Sequence, residues 1–352
     1  MLFPFSLLYR FLVWLRNKLY DHNVFKSAEF NFPLISVGNL AVGGTGKTPM
    51  TEWMVTHLKN DYRVATLSRG YKRRTKGFTI ADENTTALDI GDEPMQFHRK
   101  FPDITVAVGE ERIVAIPQIL HQKPDTEVII LDDAFQHRMV RPGLSILLTD
   151  YQNLYTRDLM FPSGDLRDVK SSSKRANIII VTKCKEQLTV EEQRKMVREI
   201  NPMQHQRVFF TTILYGNPYH LFHPQQWNLS AADNVLLVCG IANPKPIKTF
   251  LNRHVGFFEV IQYADHHIFT TSDLSEIITR FKRMTGSNKI ILTTEKDAVR
   301  LEKFKSELVD FPLFVLPVKH DFLFGESVVF LKTIKTFIEG FQSNKHQNNA
   351  SA

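Results

Sequence analysis

Ser36-Val-Gly-Asn-Leu-Ala-Val-Gly-Gly-Thr-Gly-Lys-Thr-Pro49 follows an apolar run, Pro33 to Val37, and precedes a segment of helical character. A Gly-rich turn between a strand and a helix is the setting that a phosphate-binding loop requires. Its glycines let successive backbone N–H groups turn toward phosphate oxygens at the positive end of the helix dipole. The candidate cradle is Ala41, Val42, Gly43, Gly44, Thr45, Gly46, Lys47 and Thr48. Lys47 would reach the β- and γ-phosphates of ATP, and the Thr48 hydroxyl would bind Mg²⁺. Ala41 stands where the common pattern has its first glycine. The short pattern alone therefore leaves a chance Gly-Lys-Thr turn open.

A phosphate loop needs a second anchor for Mg²⁺, usually an acid at the end of a neighbouring strand. Val128-Ile-Ile-Leu-Asp132-Asp133 supplies one, with Asp132 the first choice, Asp133 the second, and Glu93 a further candidate ligand. Other apolar runs, at 63–67, 104–108, 145–148 and 177–181, alternate with helix-like stretches. Runs of this kind predict strands buried on both faces of a mainly parallel sheet flanked by helices. The pattern resumes at 208–213, 235–239, 289–293 and 313–317. Pro202, Gly216, Pro218 and Pro224 mark the seam between the lobes. The expected class is α/β, a P-loop NTPase-like core with a second, smaller α/β lobe. Residues 1–22 form a membrane-interface helix, 23–205 the core, 206–341 the C-terminal lobe and 342–352 a disordered polar tail.

The chain has 352 residues, 43% hydrophobic and 23% charged, which excludes wholesale disorder. A net charge of +7 suits an anionic partner. Cys184 and Cys239 sit at the ends of apolar runs and make neither a disulfide framework nor a zinc site. Near the N-terminus Leu8, Phe11, Leu12 and Leu15 recur at three- and four-residue spacing, with Arg16 and Lys18 flanking the stripe. The uninterrupted apolar stretch is too short to span a bilayer. It fits a helix lying in a membrane interface, or a core-packing helix. Ser68-Arg69-Gly70-Tyr71-Lys72-Arg73-Arg74 offers anion-binding residues, or simply a solvated basic loop. A single basic loop falls short of a nucleic-acid face. Gly91-Asp92-Glu93-Pro94 reads as a helix start with ordinary acidic capping, and Asp265-His266-His267 as a His pair without a third metal ligand.

These motifs occur in one order, ending with Leu131-Asp-Asp-Ala-Phe-Gln-His137 and Thr294-Glu-Lys-Asp-Ala-Val299, and the chain resembles the tetraacyldisaccharide 4′-kinases of lipid A biosynthesis. The likeness runs from the N-terminal helix to about residue 340. It implies transfer of the ATP γ-phosphate to the 4′-hydroxyl of a tetraacyldisaccharide 1-phosphate, giving lipid IVA. It also implies Mg²⁺ dependence and work at the cytoplasmic face of a Gram-negative inner membrane, with no obligate protein partner. The family pairs an Asp with a His, here Asp92 with His266, while His267 stays an alternative. Asp92 would take the hydroxyl proton, with Lys47 spreading the γ-phosphate charge. Arg69, Tyr71 and Arg73, and Arg167 within Phe161-Pro-Ser-Gly-Asp-Leu-Arg-Asp168, become substrate contacts.

A competing reading is a GTPase or metallochaperone-like switch. That class wants a base-selecting Asn/Thr-Lys-x-Asp motif. Val181-Thr-Lys-Cys-Lys185 lacks the aspartate, and Thr294-Glu-Lys-Asp297 is also imperfect.

Overall fold

The computed structural model describes residues 2–349. It falls into two units, Leu214–Lys319 and the rest of the described chain. The first unit opens with α1 (Phe3–Asp21), β1 (Ala28–Glu29), β2 (Leu34–Asn39) and α2 (Lys47–Leu58). Then come β3 (Val64–Ser68), β4 (Thr79–Ile80), α3 (Ala87–Ile90), α4 (Asp92–Lys100), β5 (Thr105–Val108) and α5 (Arg112–Gln122). The outward run ends with β6 (Val128–Asp132), β7 (Val140–Arg141), β8 (Leu144–Asp150), β9 (Ile178–Thr182), α6 (Val190–Ile200) and β10 (Arg207–Tyr215).

Every residue of β2, β3, β6 and β9 is buried. Unbroken apolar runs of this kind need cover on both faces, and the parallel pairings follow from the helical crossovers between them. With β16 (Val318–Phe322) from the end of the chain, the sheet order is β16-β10-β9-β8-β2-β6-β3-β5-β4, with β4 antiparallel to β5. Side chains alternate across it. Ile35, Val37, Val128 and Ile130 meet Met50 and Met54 of α2 on one face, while Leu34, Ile129 and Leu131 meet Ile116 and Ile119 of α5 on the other. In the β2–β6 register Val37 lies opposite Asp132, so the loop after Asn39 and the end of β6 emerge at one edge.

The second unit contains β11 (Tyr219–His220), β12 (Asn234–Cys239), α7 (Lys245–His254), β13 (Phe257–Gln262) and α8 (Thr271–Arg283). It continues with β14 (Lys289–Thr294), α9 (Glu295–Leu301), α10 (Lys305–Leu308) and β15 (Leu313–Leu316). Its sheet runs β11-β15-β14-β12-β13, parallel except for β11.

The seam differs from the expectation. The strand expected to open the second lobe is β10, and it pairs in parallel with β9 of the first sheet, because Phe209 and Phe210 bury against that sheet's two faces. The chain then returns through β16 (Val318–Phe322) and α11 (Ser327–Asn349). Phe330, Ile334 and Ile338 of α11 join the core beside Trp53, Phe209 and Phe322. Residues 320–341 therefore belong to the first unit, not to the C-terminal lobe. The tail expected to be disordered is helical through Asn349, and 350–352 lie outside the described residues.

No helix among the described residues is long and apolar enough to cross a membrane. Helix α1 is held by its polar side. Ser6 bonds Ser163, the Tyr9 hydroxyl donates to the Arg167 carbonyl, and Asn17 donates to Asp168 and Ser172. Its apolar residues Leu8, Phe11, Leu12 and Leu15 stand 40–59% exposed.

Phe330 packs its ring 4.6 Å from Phe322, 5.3 Å from Phe209 and 5.3 Å from Trp53, and is fully buried. Phe330→Ala should cost the first unit about 3–5 kcal/mol through lost packing and the cavity left behind. Urea unfolding followed by circular dichroism would measure this. A cost under about 1 kcal/mol would detach α11 from the core.

Candidate active site

The loop between β2 and α2 is tied at both ends and open in the middle. Val42 N–H donates to the Asp165 carbonyl at 2.7 Å, and Ala41 bridges to Leu166. Asn39 Nδ2 donates to Thr45 Oγ1 at 2.8 Å, and the Thr182 hydroxyl donates to the Thr45 carbonyl at 2.9 Å. Gly46 caps α2 in the left-handed region, at φ 86°. Gly43 and Gly44 between them are exposed.

The two aspartates at the end of β6 part company because Asp133 turns into the left-handed region, at φ 46°. Asp132 points into the interior, where it accepts from the Thr51 hydroxyl at 3.3 Å and the Ser68 hydroxyl at 3.5 Å. Burial, and then Glu93 and Asp133 nearby, push its carboxyl up to about 7 against the pull of Lys47 and Arg112. Thr51 lies one turn beyond Thr48 on the same face of α2, so the Thr48 side chain projects toward the Asp132 side. Asp133 has the opposite balance. Burial raises its carboxyl, but Lys47 and Arg167 outweigh that and hold it below its usual range. Lys47 Nζ stands 3.8 Å from Asp133, and the Arg167 guanidinium grips both oxygens of Asp133 while donating to Asn39 Oδ1 at 2.6 Å.

Among the described residues, no group of three or more His, Cys, Asp and Glu side chains could hold a metal unaided. Asp132, with Glu93 near enough to make its charge costlier, fits with Glu93 a Mg²⁺ ion that also uses a hydroxyl, waters and substrate phosphates. Asp133 fits less well as a direct ligand, because Arg167 occupies its oxygens.

Asp92 and Glu93 form the first turn of α4. Gly91 before them permits a close approach: a Cβ there would stand 2.9 Å from the Tyr71 carbonyl oxygen. The basic loop therefore packs beside Asp92. Within it Tyr71 and Arg69 are exposed. Arg73 departs from its expected substrate role. Its side chain is only 2% exposed and bonds Glu110 at 2.6 Å and the Gly77 carbonyl, bracing the loop from inside.

In the second unit His266 sits in the left-handed region at φ 61°. Its Nε2 lies 3.0 Å from Lys296 Nζ and its Nδ1 3.2 Å from the Arg300 guanidinium. Lysine and arginine only donate, so one neutral tautomer can satisfy one of these contacts at a time. Arg300 is fixed by the buried Asp297, which also accepts from Gly240 N–H and the Thr294 hydroxyl. His267 is spent on the fold: it bonds Asp273 of the α8 cap at 2.9 Å and stacks on Tyr263. Of the two histidines, His266 is the one poised on a charged cluster.

Several residues whose roles the sequence left open take part. Asn39 aims Arg167, and Thr51 and Ser68 hold Asp132. Arg112, fully buried, donates to the Asp132 carbonyl at 3.4 Å and to that of Gly109 at 2.5 Å. Gln136 clamps the end of β2 through the Asn39 carbonyl at 2.6 Å. Burial, then Arg112, Arg69 and Arg16, push His137 down to about 4, leaving it neutral in a cationic corner.

The model of the tetraacyldisaccharide-1-P 4′-kinase family matches residues 1–338. A tetraacyldisaccharide 4′-kinase of Phocaeicola vulgatus is 41% identical over 99% of this chain and 97% of its own length. One from Flavobacterium johnsoniae is 44% identical over 92% of each chain. The crystal structure of the "apo" form of LpxK from Aquifex aeolicus in complex with ATP aligns with a TM-score of 0.73 and 28% identity, covering 96% of this chain and 98% of that one.

Arg167→Ala should lower kcat/KM about 10- to 100-fold, as loss of a charge-assisted bidentate contact at the loop. Arg73→Ala should instead lower thermal stability and leave the acceptor KM within about twofold, since a half-exposed ion pair is lost rather than a substrate contact. Steady-state kinetics and melting curves would separate them; the reverse pattern would return Arg73 to the substrate.

Proposed function

Because the chain belongs to the tetraacyldisaccharide-1-P 4′-kinase family, we propose that it moves the γ-phosphate of ATP onto the 4′-hydroxyl of a tetraacyldisaccharide 1-phosphate. The observation that carries this reading is the meeting of Lys47, Asp132 and Asp133 beside a Gly-rich loop at one edge of a buried parallel sheet. Backbone N–H groups of the loop and Lys47 bind the phosphates. Thr48, Asp132 and Glu93 would hold Mg²⁺, which when bound neutralises charge on the β- and γ-phosphate oxygens. Arg167 and Asp133 keep Lys47 aimed. Asp92 accepts the proton of the attacking hydroxyl, and a tuning role for His266 follows from the family resemblance. Arg69 and Tyr71 contact the acceptor headgroup.

Helix α1 supports action at a membrane surface, and we assign the cytoplasmic face of the inner membrane as the site of work. Its bonded side is polar and its outer side apolar, with the exposed cations Arg10 and Lys18 able to reach lipid headgroups, while Arg16 donates to the Gln136 carbonyl at 2.9 Å.

Incubation with labelled ATP and the disaccharide acceptor in detergent should move label to the acceptor. Label appearing only in water, or not at all, would overturn the kinase reading. Asp92→Ala should cut turnover by about 10²–10⁴ while leaving ATP affinity nearly intact; unchanged turnover removes Asp92 as the base. Asn17 is buried against Asp168, so charge on the outer face is a cleaner probe of α1 than deletion. A Leu8→Glu, Phe11→Glu, Leu12→Glu triple variant should lose most of its co-sedimentation with anionic vesicles yet melt like the wild type. Full co-sedimentation would mean that α1 is not the anchor.

A further inference from the structure

His320 is the first residue of the first unit after the chain returns from the second, and it is completely enclosed. Its Nε2 lies 2.9 Å from the carbonyl oxygen of Gly46, the residue before Lys47. Its Nδ1 lies 2.9 Å from the hydroxyl of Thr211, two residues before the chain leaves the first unit. A carbonyl can only accept, so Nε2 carries the proton and Nδ1 accepts from Thr211. Burial, with Lys183 as the nearby cation, keeps the ring neutral by pushing it down to about 4. The Gly46 carbonyl also accepts the first helical bond of α2, from Met50 N–H at 3.1 Å. Both of its lone pairs are thus taken.

This matters because the carbonyl of Gly46 and the N–H of Lys47 belong to one planar trans peptide and point in opposite directions. Drawing the carbonyl inward toward His320 turns the Lys47 N–H outward, where a phosphate-binding loop presents its donors. Gly46, a glycine at φ 86°, has no side chain to limit its own backbone freedom, so an outside contact must fix it. A side chain there would collide with the latch, since a Cβ would stand 2.8 Å from His320 Nε2.

We propose that His320 is a positioning residue for nucleotide binding, a neutral imidazole that Thr211 orients and that locks the Gly46–Lys47 peptide. The assignment rests on the ATP-site reading above and extends it to a residue on the returning strand. It predicts an effect on nucleotide affinity that is separable from stability. Glutamine can supply a donor toward Gly46 and an acceptor toward Thr211; leucine fills the space and supplies neither.

The test measures binding of a fluorescent ATP analogue with Mg²⁺, steady-state kinetics for both substrates, and melting temperature. The proteins are the full-length wild type, His320→Gln, His320→Leu and Thr211→Val. Loss of one buried hydrogen bond predicts that His320→Leu raises the analogue Kd and the KM for ATP about tenfold. The acceptor KM should stay within about twofold, and His320→Gln should recover most of the loss. Thr211→Val, a milder change, should raise the KM for ATP about threefold, and it carries the test if His320→Leu does not fold. Wild-type nucleotide affinity in His320→Leu, or in Thr211→Val where that variant alone is folded, would overturn the inference, as would a His320→Gln no better than leucine. If the wild type itself failed to bind the analogue, the nucleotide-site reading would fall first; binding by the wild type with no effect at His320 would fell this inference alone.

Discussion

Two adjacent carboxylates leave the end of β6 with nearly opposite surroundings, and the site is built on that difference. Strand geometry alone would send Asp132 and Asp133 to opposite faces. The left-handed turn at Asp133 places it instead beside Lys47 and Arg167, which hold it ionised. Asp132 stays inside, enclosed by the sheet and near a second acid, so its charge is expensive to keep. One carboxylate is thereby a counter-ion that fixes Lys47. The other is a carboxylate short of positive charge, which is the condition under which a divalent cation binds most usefully.

The N-terminal helix shows a second inversion of the usual logic. An amphipathic helix on a globular protein ordinarily turns its apolar stripe to the core. Here the inward face is Ser6, Tyr9, Val13, Asn17 and Tyr20, and Leu8, Phe11, Leu12 and Leu15 stand in solvent. Asn17 and Arg175 both bond Asp168, the residue after Arg167. The helix is thus fastened to the segment that carries a site arginine. Apolar area left outside by such a fastening costs free energy in water and recovers it at a lipid interface.

Much of this was legible in the sequence because it depends on local pattern. Unbroken apolar runs specified buried parallel strands, and Ser36–Pro49 specified a loop between strand and helix. Phe257–Gln262 escaped notice because it is an edge strand, mostly half-exposed and without a clean apolar run. The seam was misplaced for a different reason. Prolines and glycines at 202–224 mark turns, but they do not say which sheet takes the strand among them. That was settled above all by Phe209, whose partners Phe322 and Phe330 lie more than a hundred residues away. Arg73 illustrates the same limit at the site. A basic loop reads alike whether its arginine faces a ligand or Glu110, and only the fold brings Glu110 within reach.

The nucleotide loop combines these local and distant determinants. Its central glycines, Gly43 and Gly44, have no neighbour within 4 Å of where a Cβ would stand, so they offer backbone donors without obstruction. Freedom of that kind would lower affinity if it extended to the loop ends, since ordering each loose residue costs about 1–2 kcal/mol. The ends are therefore held by four separate parts of the chain. Asp165 and Leu166 hold the entry, Asn39 and Thr182 hold Thr45, and His320 holds Gly46. Three of these lie far from the loop in sequence, and His320 lies beyond the whole second unit. On the proposed reading the Gly-rich motif permits phosphate binding. The distant strands are what make its conformation single-valued, and it is only with them in place that Lys47, Asp133 and Arg167 can keep one alignment.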